Sequence, residues 1–247
     1  MKRRKKTVAI VQSRMGSTRF FGKVLEDIQG RPMLWQVINR LSHCRLLHNI
    51  VVATSVNHQD DTIEEFCQKG CICCFRGSED DVLGRYYHAA TEFEAELVVR
   101  VTSDCPLIDP NVVDRVVSTF LENREIYDYV SNTIKRTYPR GLDTEVFPYK
   151  ILEKCHEEAS KGCEREHVTA YIYEHPDMFK LFNLENNENL SHLRWTVDEE
   201  PDLRFVREIY KRLNKRNLFF MEDILRVLEK EPLLIEINKG VEQKSLK

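Results

Sequence analysis

AIVQSRMGSTRFFGKVL, residues 9–25, starts as an apolar run and ends in a loop with two glycines and three cations, Arg14, Arg19 and Lys23. The run extends back to Thr7, and TVAIVQS reads as a buried strand. Short β-rich runs then alternate with helical patterns along the chain, with no internal repeat. Pro32 opens a helix in which Leu34, Val37, Ile38 and Leu41 share a face. NIVVATS is a second strand, residues 59–69 a second helix, CICCF a third, buried strand and residues 80–95 a third helix. ELVVRVTS is a fourth strand ending at Asp104, followed by DPNVVDRVVSTFLEN, a helix with Asp109 as N-cap and Pro110 at its first position.

Strands alternating with helices of this length predict right-handed βαβ crossovers, hence an α/β fold with a mostly parallel central sheet. Ligands of such sheets gather beyond the carboxyl ends of the strands. The first and fourth strands deliver QSRMGSTR, from Gln12, and TSDCP, from Thr102, to one crevice. After residue 125 the rhythm changes. YDYVSN, GLDTEVF, FKLFNLE and LRWTVD read as extended, with helical stretches near 149–160 and 164–175, which predicts a smaller mixed or antiparallel lobe. Helices near 202–214 and 220–230 follow, and KGVEQKSLK reads as a frayed tail. One unit over 1–247 is expected, with a nucleotide-binding half at 7–125, an acceptor and dimerisation lobe at 126–200 and C-terminal helices at 201–247.

Apolar residues make up 42% of the chain, charged residues 31%, and the net charge is -3, so no global field for nucleic acid exists and any positive patch is local. MKRRKK is followed by too short an apolar run for a signal core, and no segment has the length to span a bilayer, so a cytoplasmic protein is expected. The eight cysteines lack the paired spacing of a zinc site and read as reduced thiols.

In the opening loop Gly16 and Gly22 allow turns closed to other residues, Ser17 and Thr18 offer donors, and Arg14, Arg19 and Lys23 supply charge for a polyanion such as a triphosphate. It is neither a P-loop, since Val24 follows the lysine, nor a GxGxxG fingerprint. A solvated basic loop is the plainer alternative. Asp104, at the sheet edge, holds a metal or cation, or else pairs with Arg100 or Arg14 or caps a turn. Asp198 ends another β-like run, whereas Asp202 reads as the cap of LRFVREIYKRL. Two strand-end carboxylates beside a basic loop suit phosphoryl or nucleotidyl transfer.

AIVQSRMGSTRFFGKVL, RGSEDDVLGRY, RVTSDCPLIDP, RGLDTEVF, EREHVTAYI and RWTVDEEPDL occur in an order that resembles the cytidylyltransferases activating acidic sugars. The similarity is to their SpsF-like spore-coat polysaccharide branch, relatives of the CMP-acylneuraminate and CMP-Kdo synthetases, and runs from about residue 7 to 230. It implies a Rossmann-like nucleotide-diphospho-sugar transferase fold, CTP and a sugar acceptor as substrates, and a homodimer. It also implies that Arg14 and Lys23, supported by Gln12, Gly16, Ser17, Arg19 and Thr102, bind the nucleotide, and that Asp104 and Asp198 hold Mg2+. Arg76, Ser78, Asp81 and Val82 would flank base and ribose, and Arg140, Asp143, Glu145 and His167 would line the acceptor pocket. The usual RLPGK is here RFFGK, so the loop lacks a stiffening proline. Without the resemblance, His167 reads as a half-buried histidine bonded to Glu164 or Glu166, and Asp143 and Glu145 as a solvated strand face.

The reaction expected is attack of a sugar hydroxyl on the α-phosphorus of CTP, with Arg14, Lys23, Asp104 and Asp198 catalytic and no dedicated general base; Lys23→Ala should cut turnover sharply with little loss of folding. A glycosyltransferase of related fold is one alternative, although TSDCP has a single aspartate where a DxD pair is usual. A non-catalytic nucleotide-sugar binding protein is the other.

Overall fold

The computed structural model describes residues 6–213 and 218–243, which leaves most of the basic opening run and the last four residues of the tail outside the described residues. In chain order the elements are β1 Thr7–Gln12, β2 Asp27–Ile28, β3 Arg31–Pro32, α1 Met33–Leu41, β4 Asn49–Ser55, α2 Asp61–Lys69, β5 Cys73–Gly77, α3 Val82–Glu92, β6 Leu97–Thr102 and α4 Pro110–Glu122. They continue with β7 Tyr129–Ser131, β8 Glu145–Pro148, α5 Tyr149–Glu158, α6 Gly162–Glu166, α7 Ala170–Glu174, β9 Leu181–Asn183, α8 Glu200–Leu213 and α9 Met221–Lys230.

Seven strands form one sheet in the order β5-β4-β1-β6-β8-β7-β9. β5, β4, β1 and β6 are parallel, β8 runs antiparallel between β6 and β7, and β9 joins β7 in parallel. The mixed region is therefore carried on the same sheet as the parallel half. β2 and β3 make a separate small antiparallel pair.

The period-two pattern of β1 shows why it is central. Val8 and Ile10 pack in the layer containing Leu83 and Tyr86 of α3 and Leu152 of α5, while Ala9 and Val11 pack in the layer containing Leu34 of α1, Val113 of α4 and Val206 of α8. Both faces are apolar because both are covered by helices, as a parallel sheet requires. Each fully buried valine or isoleucine contributes about 1.5–3 kcal/mol in transfer terms. The Asp109 carboxylate caps α4 through the N–H groups of Asn111 and Val112, with Pro110 next to it, as the sequence predicted.

Three segments differ from expectation. CICCF is not a buried strand: Cys71 and Ile72 close the end of α2 through bonds to the carbonyls of Gln68 and Cys67, and β5 lies at the sheet edge, partly exposed throughout. The helix expected at 164–175 breaks between α6 and α7, and the break brings His167 and Thr169 to one cleft. LRWTVD is not a strand. Its N–H groups are divided between two loops, Trp195 bonding to the Arg140 carbonyl and Val197 to that of Asp104, so no ladder can propagate. The tail is also tied down as far as Gln243, whose side chain accepts a bond from Arg194.

Gly141 makes this threading possible. Its φ is 106°, and a Cβ there would lie 2.6 Å from the Thr196 nitrogen and 2.7 Å from the Trp195 carbonyl carbon. A left-handed non-glycine residue alone costs on the order of 1–3 kcal/mol, and the backbone clash adds to it. Gly141→Ala is therefore expected to lower the melting temperature by several degrees and to weaken whatever the neighbouring cleft binds; calorimetry checks the first and ligand titration the second.

Candidate active site

The loop after β1 is built around the Met15 carbonyl, which accepts bonds from Ser17 and Gly22, while the Met15 N–H donates to Asp60 at 2.7 Å. Gly22, with φ 72°, turns the chain so that Lys23 points inward. The lysine is 8% exposed. Its Nζ donates to the Val197 carbonyl at 2.6 Å, to Asp198 Oδ1 at 3.0 Å and to Asp104 Oδ2 at 3.2 Å. Arg19 adds a second cation to Asp198 Oδ1 at 3.0 Å. The plain loop–carboxylate pairing expected for Asp104 is thus made by Lys23, rather than by Arg100 or Arg14.

Each aspartate is anchored from behind by one oxygen. Thr102 Oγ1 donates to Asp104 Oδ1 at 2.6 Å, and the Arg194 guanidinium donates to Asp198 Oδ2 at 2.8 Å. Arg194 is held in turn by fully buried Asp202 at 2.9 Å. Asp202 also accepts from the N–H groups of Asp198 and Glu199, so it caps α8 as expected but from inside the first turn. Burial pushes the Asp198 carboxyl up, but Lys23, Arg19 and Arg194 outweigh it and hold it below the ordinary aspartate range. Burial likewise opposes the charge on Lys23, and the two aspartates overcome it and raise its proton affinity.

Beside this cluster opens a cleft of about 830 Å³ lined by, among others, Arg19, Thr102, Asp104, Arg140, Glu145 and His167. Asp143 and Asp198 also reach it. Glu145 is buried, not a solvated strand face: it sits opposite Arg100 in the antiparallel β6–β8 register, pairs with its guanidinium and accepts from Tyr129 at 2.7 Å. Asp143 is bound by Arg136 at 2.8 Å. Arg140 differs from these guanidinium groups, having no carboxylate within ion-pair distance among the described residues. Burial first, then Arg136, lowers its proton affinity. His167 is half-buried on the cleft wall, and Glu164 bonds Lys161 and the backbone of Ser160 instead of the imidazole.

The remaining candidates do not line this cleft. Gln12 is paired on both sides in the sheet and keeps a buried Oε1 without a partner, and Ser17 Oγ accepts from Phe20 within the loop. Arg14 and Gly16 are partly exposed in the same loop. Arg76 straps the edge of the sheet, its guanidinium spent on Asp61, Glu64 and the carbonyls of Ser55 and Asn57. Ser78 and Asp81 build the turn into α3, Asp81 also binding Arg165, and Val82 is buried. Sequence reasoning missed Arg194, Arg136 and Arg100 as site builders. Their carboxylate partners lie 4 to 45 positions away, and only Arg194 shares a quoted motif with its partners, Asp198 and Asp202.

Lys23→Ala carries a folding cost that the sequence did not suggest, because removing it strands two largely buried carboxylates. The pH dependence follows from the shifts. The depressed Asp198 contributes stability fully present above an ordinary aspartate value of about 3.9, and that contribution is lost as pH falls through its lower folded value. The raised Lys23 contributes stability present below about 10.4 and lost as pH rises through its higher folded value. Melting temperature against pH should therefore drop steeply on the acid side of pH 4 in the wild-type chain and less steeply in Asp198→Asn.

The profile of the cytidylyltransferase family matches residues 8–235. A cytidylyltransferase structure from Leptospira borgpetersenii serovar Hardjo-bovis (strain JB197) aligns with a TM-score of 0.90 and 32% identity, covering 98% of this chain and 100% of that one. An uncharacterized protein of Methanocaldococcus jannaschii is 38% identical over 242 residues, 97% of each chain. The spore coat polysaccharide biosynthesis protein SpsF of Bacillus subtilis (strain 168) is 29% identical over 230 residues, 90% of this chain and 94% of that one. Among the described residues no helix is long and apolar enough to cross a membrane. Apart from Thr7 at the start of β1, the matched span takes in all seven strands of the main sheet and every residue of the lysine–aspartate cluster, and the chain belongs to the cytidylyltransferase family, a nucleotidyltransferase acting with CTP.

Proposed function

We propose that the protein transfers CMP from CTP to a hydroxyl of an acidic sugar and releases pyrophosphate, in a Mg2+-dependent reaction serving surface polysaccharide or glycoconjugate synthesis. The observation that carries this reading is the convergence of Asp104 and Asp198 on Lys23 at the wall of a cleft where, among the described residues, Arg140 has no carboxylate partner. The acceptor oxygen bonds to the α-phosphorus as the bond to pyrophosphate breaks, and the hydroxyl proton passes to solvent. Lys23, Arg19 and Arg14 offset the charge gathering on the leaving pyrophosphate, the largest single contribution in reactions of this type.

The donor set fits a hard divalent cation: two carboxylates, each fixed by one oxygen, and among the described residues no third His, Cys, Asp or Glu to complete a closed protein cage. Magnesium is characteristically held by one or two carboxylates together with substrate phosphates. Asp104 and Asp198 are the residues that would hold it; when bound, it polarises the α-phosphate and lowers the pKa of the attacking hydroxyl. Arg140 would receive the acceptor's carboxylate as a fork of donors. Arg100 and Arg136 are already neutralised by Glu145 and Asp143 and so shape the wall rather than compete for the anion. The likeness to a spore coat polysaccharide protein supports the glycoconjugate setting. For the expected homodimer we assign the outer edge of β9, the end strand of the sheet, with exposed Met178 just before it in sequence and exposed Ile126 just before β7, its neighbour in the sheet.

Thermal stabilisation by CTP, UTP, ATP and GTP, each with and without Mg2+, tests the nucleotide; selective Mg2+-dependent stabilisation by CTP is expected. With CTP and a panel of acidic sugars, product analysis should find pyrophosphate, whereas free nucleoside diphosphate from a nucleotide sugar would replace this reading with glycosyl transfer. Arg140→Ala is expected to raise the acceptor KM at least tenfold while leaving stabilisation by CTP unchanged.

A further inference from the structure

The oxygens that the cation needs are already in use. Thr102 holds Oδ1 of Asp104 and Arg194 holds Oδ2 of Asp198, and the two oxygens left over, Asp104 Oδ2 and Asp198 Oδ1, both receive the Lys23 ammonium, the second shared with Arg19 at the rim of the cleft. The third Lys23 donor goes to the Val197 carbonyl, so the ammonium has a complete set of three acceptors. This is the arrangement of a bound cation in a two-carboxylate site, made by the protein's own side chain. It also answers an electrostatic need, because two carboxylates this far out of water would repel each other and lose hydration without a shared positive charge.

A divalent ion and the ammonium cannot occupy these oxygens together, since they would stand in contact with like charge. Lysine is suited to exchange. Its charge is a compact point on a flexible four-carbon stem, and it follows a left-handed glycine in a loop that lacks the usual proline. A triphosphate beside Arg14 and Arg19 would supply the ammonium with new acceptors and the metal with the phosphate oxygens that the protein does not provide.

Resting on the metal reading of Asp104 and Asp198, we propose that Lys23 is their resident counter-ion and is exchanged for the metal only when nucleotide arrives, so that metal binding is conditional on CTP. The lysine excludes free divalent ions from the aspartates, then moves to the phosphates as the metal enters with them. One side chain thus serves both states of the site.

Mn2+ alone, titrated into nucleotide-free protein and followed by the paramagnetic signal of the free ion, tests this without turnover. Wild-type protein is expected to bind it weakly, Lys23→Met at least tenfold more tightly, and CTP to tighten binding to the wild type far more than to Lys23→Met. Equal Mn2+ affinity of the two nucleotide-free proteins overturns the exchange while leaving the metal site standing. If CTP does not promote Mn2+ binding to the wild type, and Asp104→Asn changes nothing, the metal reading itself falls and the exchange with it. Should Lys23→Met fail to fold, wild-type protein labelled with 13C at lysine Cε gives the same decision. The Lys23 resonance should move with Mg2+ and CTP together and stay in place with Mg2+ alone; a shift with Mg2+ alone overturns the proposal.

Discussion

A single buried ammonium joins three distant parts of the chain. Lys23 comes from the loop after β1, Asp104 from the loop after β6, and Val197 and Asp198 from the segment before α8. Taking any one of these charges out of water alone would cost several kcal/mol; together they compensate one another. The backbone follows the same joint, because the Asp104 carbonyl accepts from both the Val197 N–H and the Thr196 hydroxyl. Threading of residues 194–197 between the β6 loop and Gly141 is therefore fixed by polar contacts on both sides, and the cleft takes its shape from that threading.

Around this joint the site is layered from rigid parts outward. Thr102, the last residue of β6, orients one aspartate, and Arg194, itself held by buried Asp202, orients the other. Asn238 extends the second support by bonding both Asp202 and the Arg194 carbonyl, so the segment after α9 reinforces a carboxylate forty residues earlier. On the acceptor side the antiparallel insertion of β8 matters most. It sets Glu145 directly across from Arg100 and turns what would be a row of charges into a neutral, buried wall, against which the unpaired Arg140 stands out. Each layer fixes rotamers before any ligand is bound, which is the condition for electrostatic catalysis to be effective.

The parallel half of the sheet was readable because its signals are local: apolar runs of strand length, helical periodicity, and an N-cap aspartate followed by proline at 109 and 110. The loop cations and the two catalytic candidates at 104 and 198 were readable too, since both lie just after β-like runs, where such folds bind ligands. The errors share one cause. CICCF has strand composition, but its first two residues are consumed in leaving α2, and LRWTVD has strand alternation, but its hydrogen bonds are divided between two loops. Composition reports what a segment could pair with, and the partners available in space decide whether it does.

Over residues 7–25 and the strand–helix alternation that follows them, the amino-acid order alone determined an α/β architecture and a basic loop at the head of the sheet, because burial on alternate faces and charge at strand ends are written in neighbouring residues. Tertiary structure alone decided that Lys23 neutralises both aspartates, that Arg76 is spent as a strap and that Arg140 is left without a carboxylate partner among the described residues. Those outcomes depend on which charges meet within about 4 Å after folding, between residues separated by tens to more than a hundred positions, and electrostatic pairing at that range has no periodicity along the chain to read.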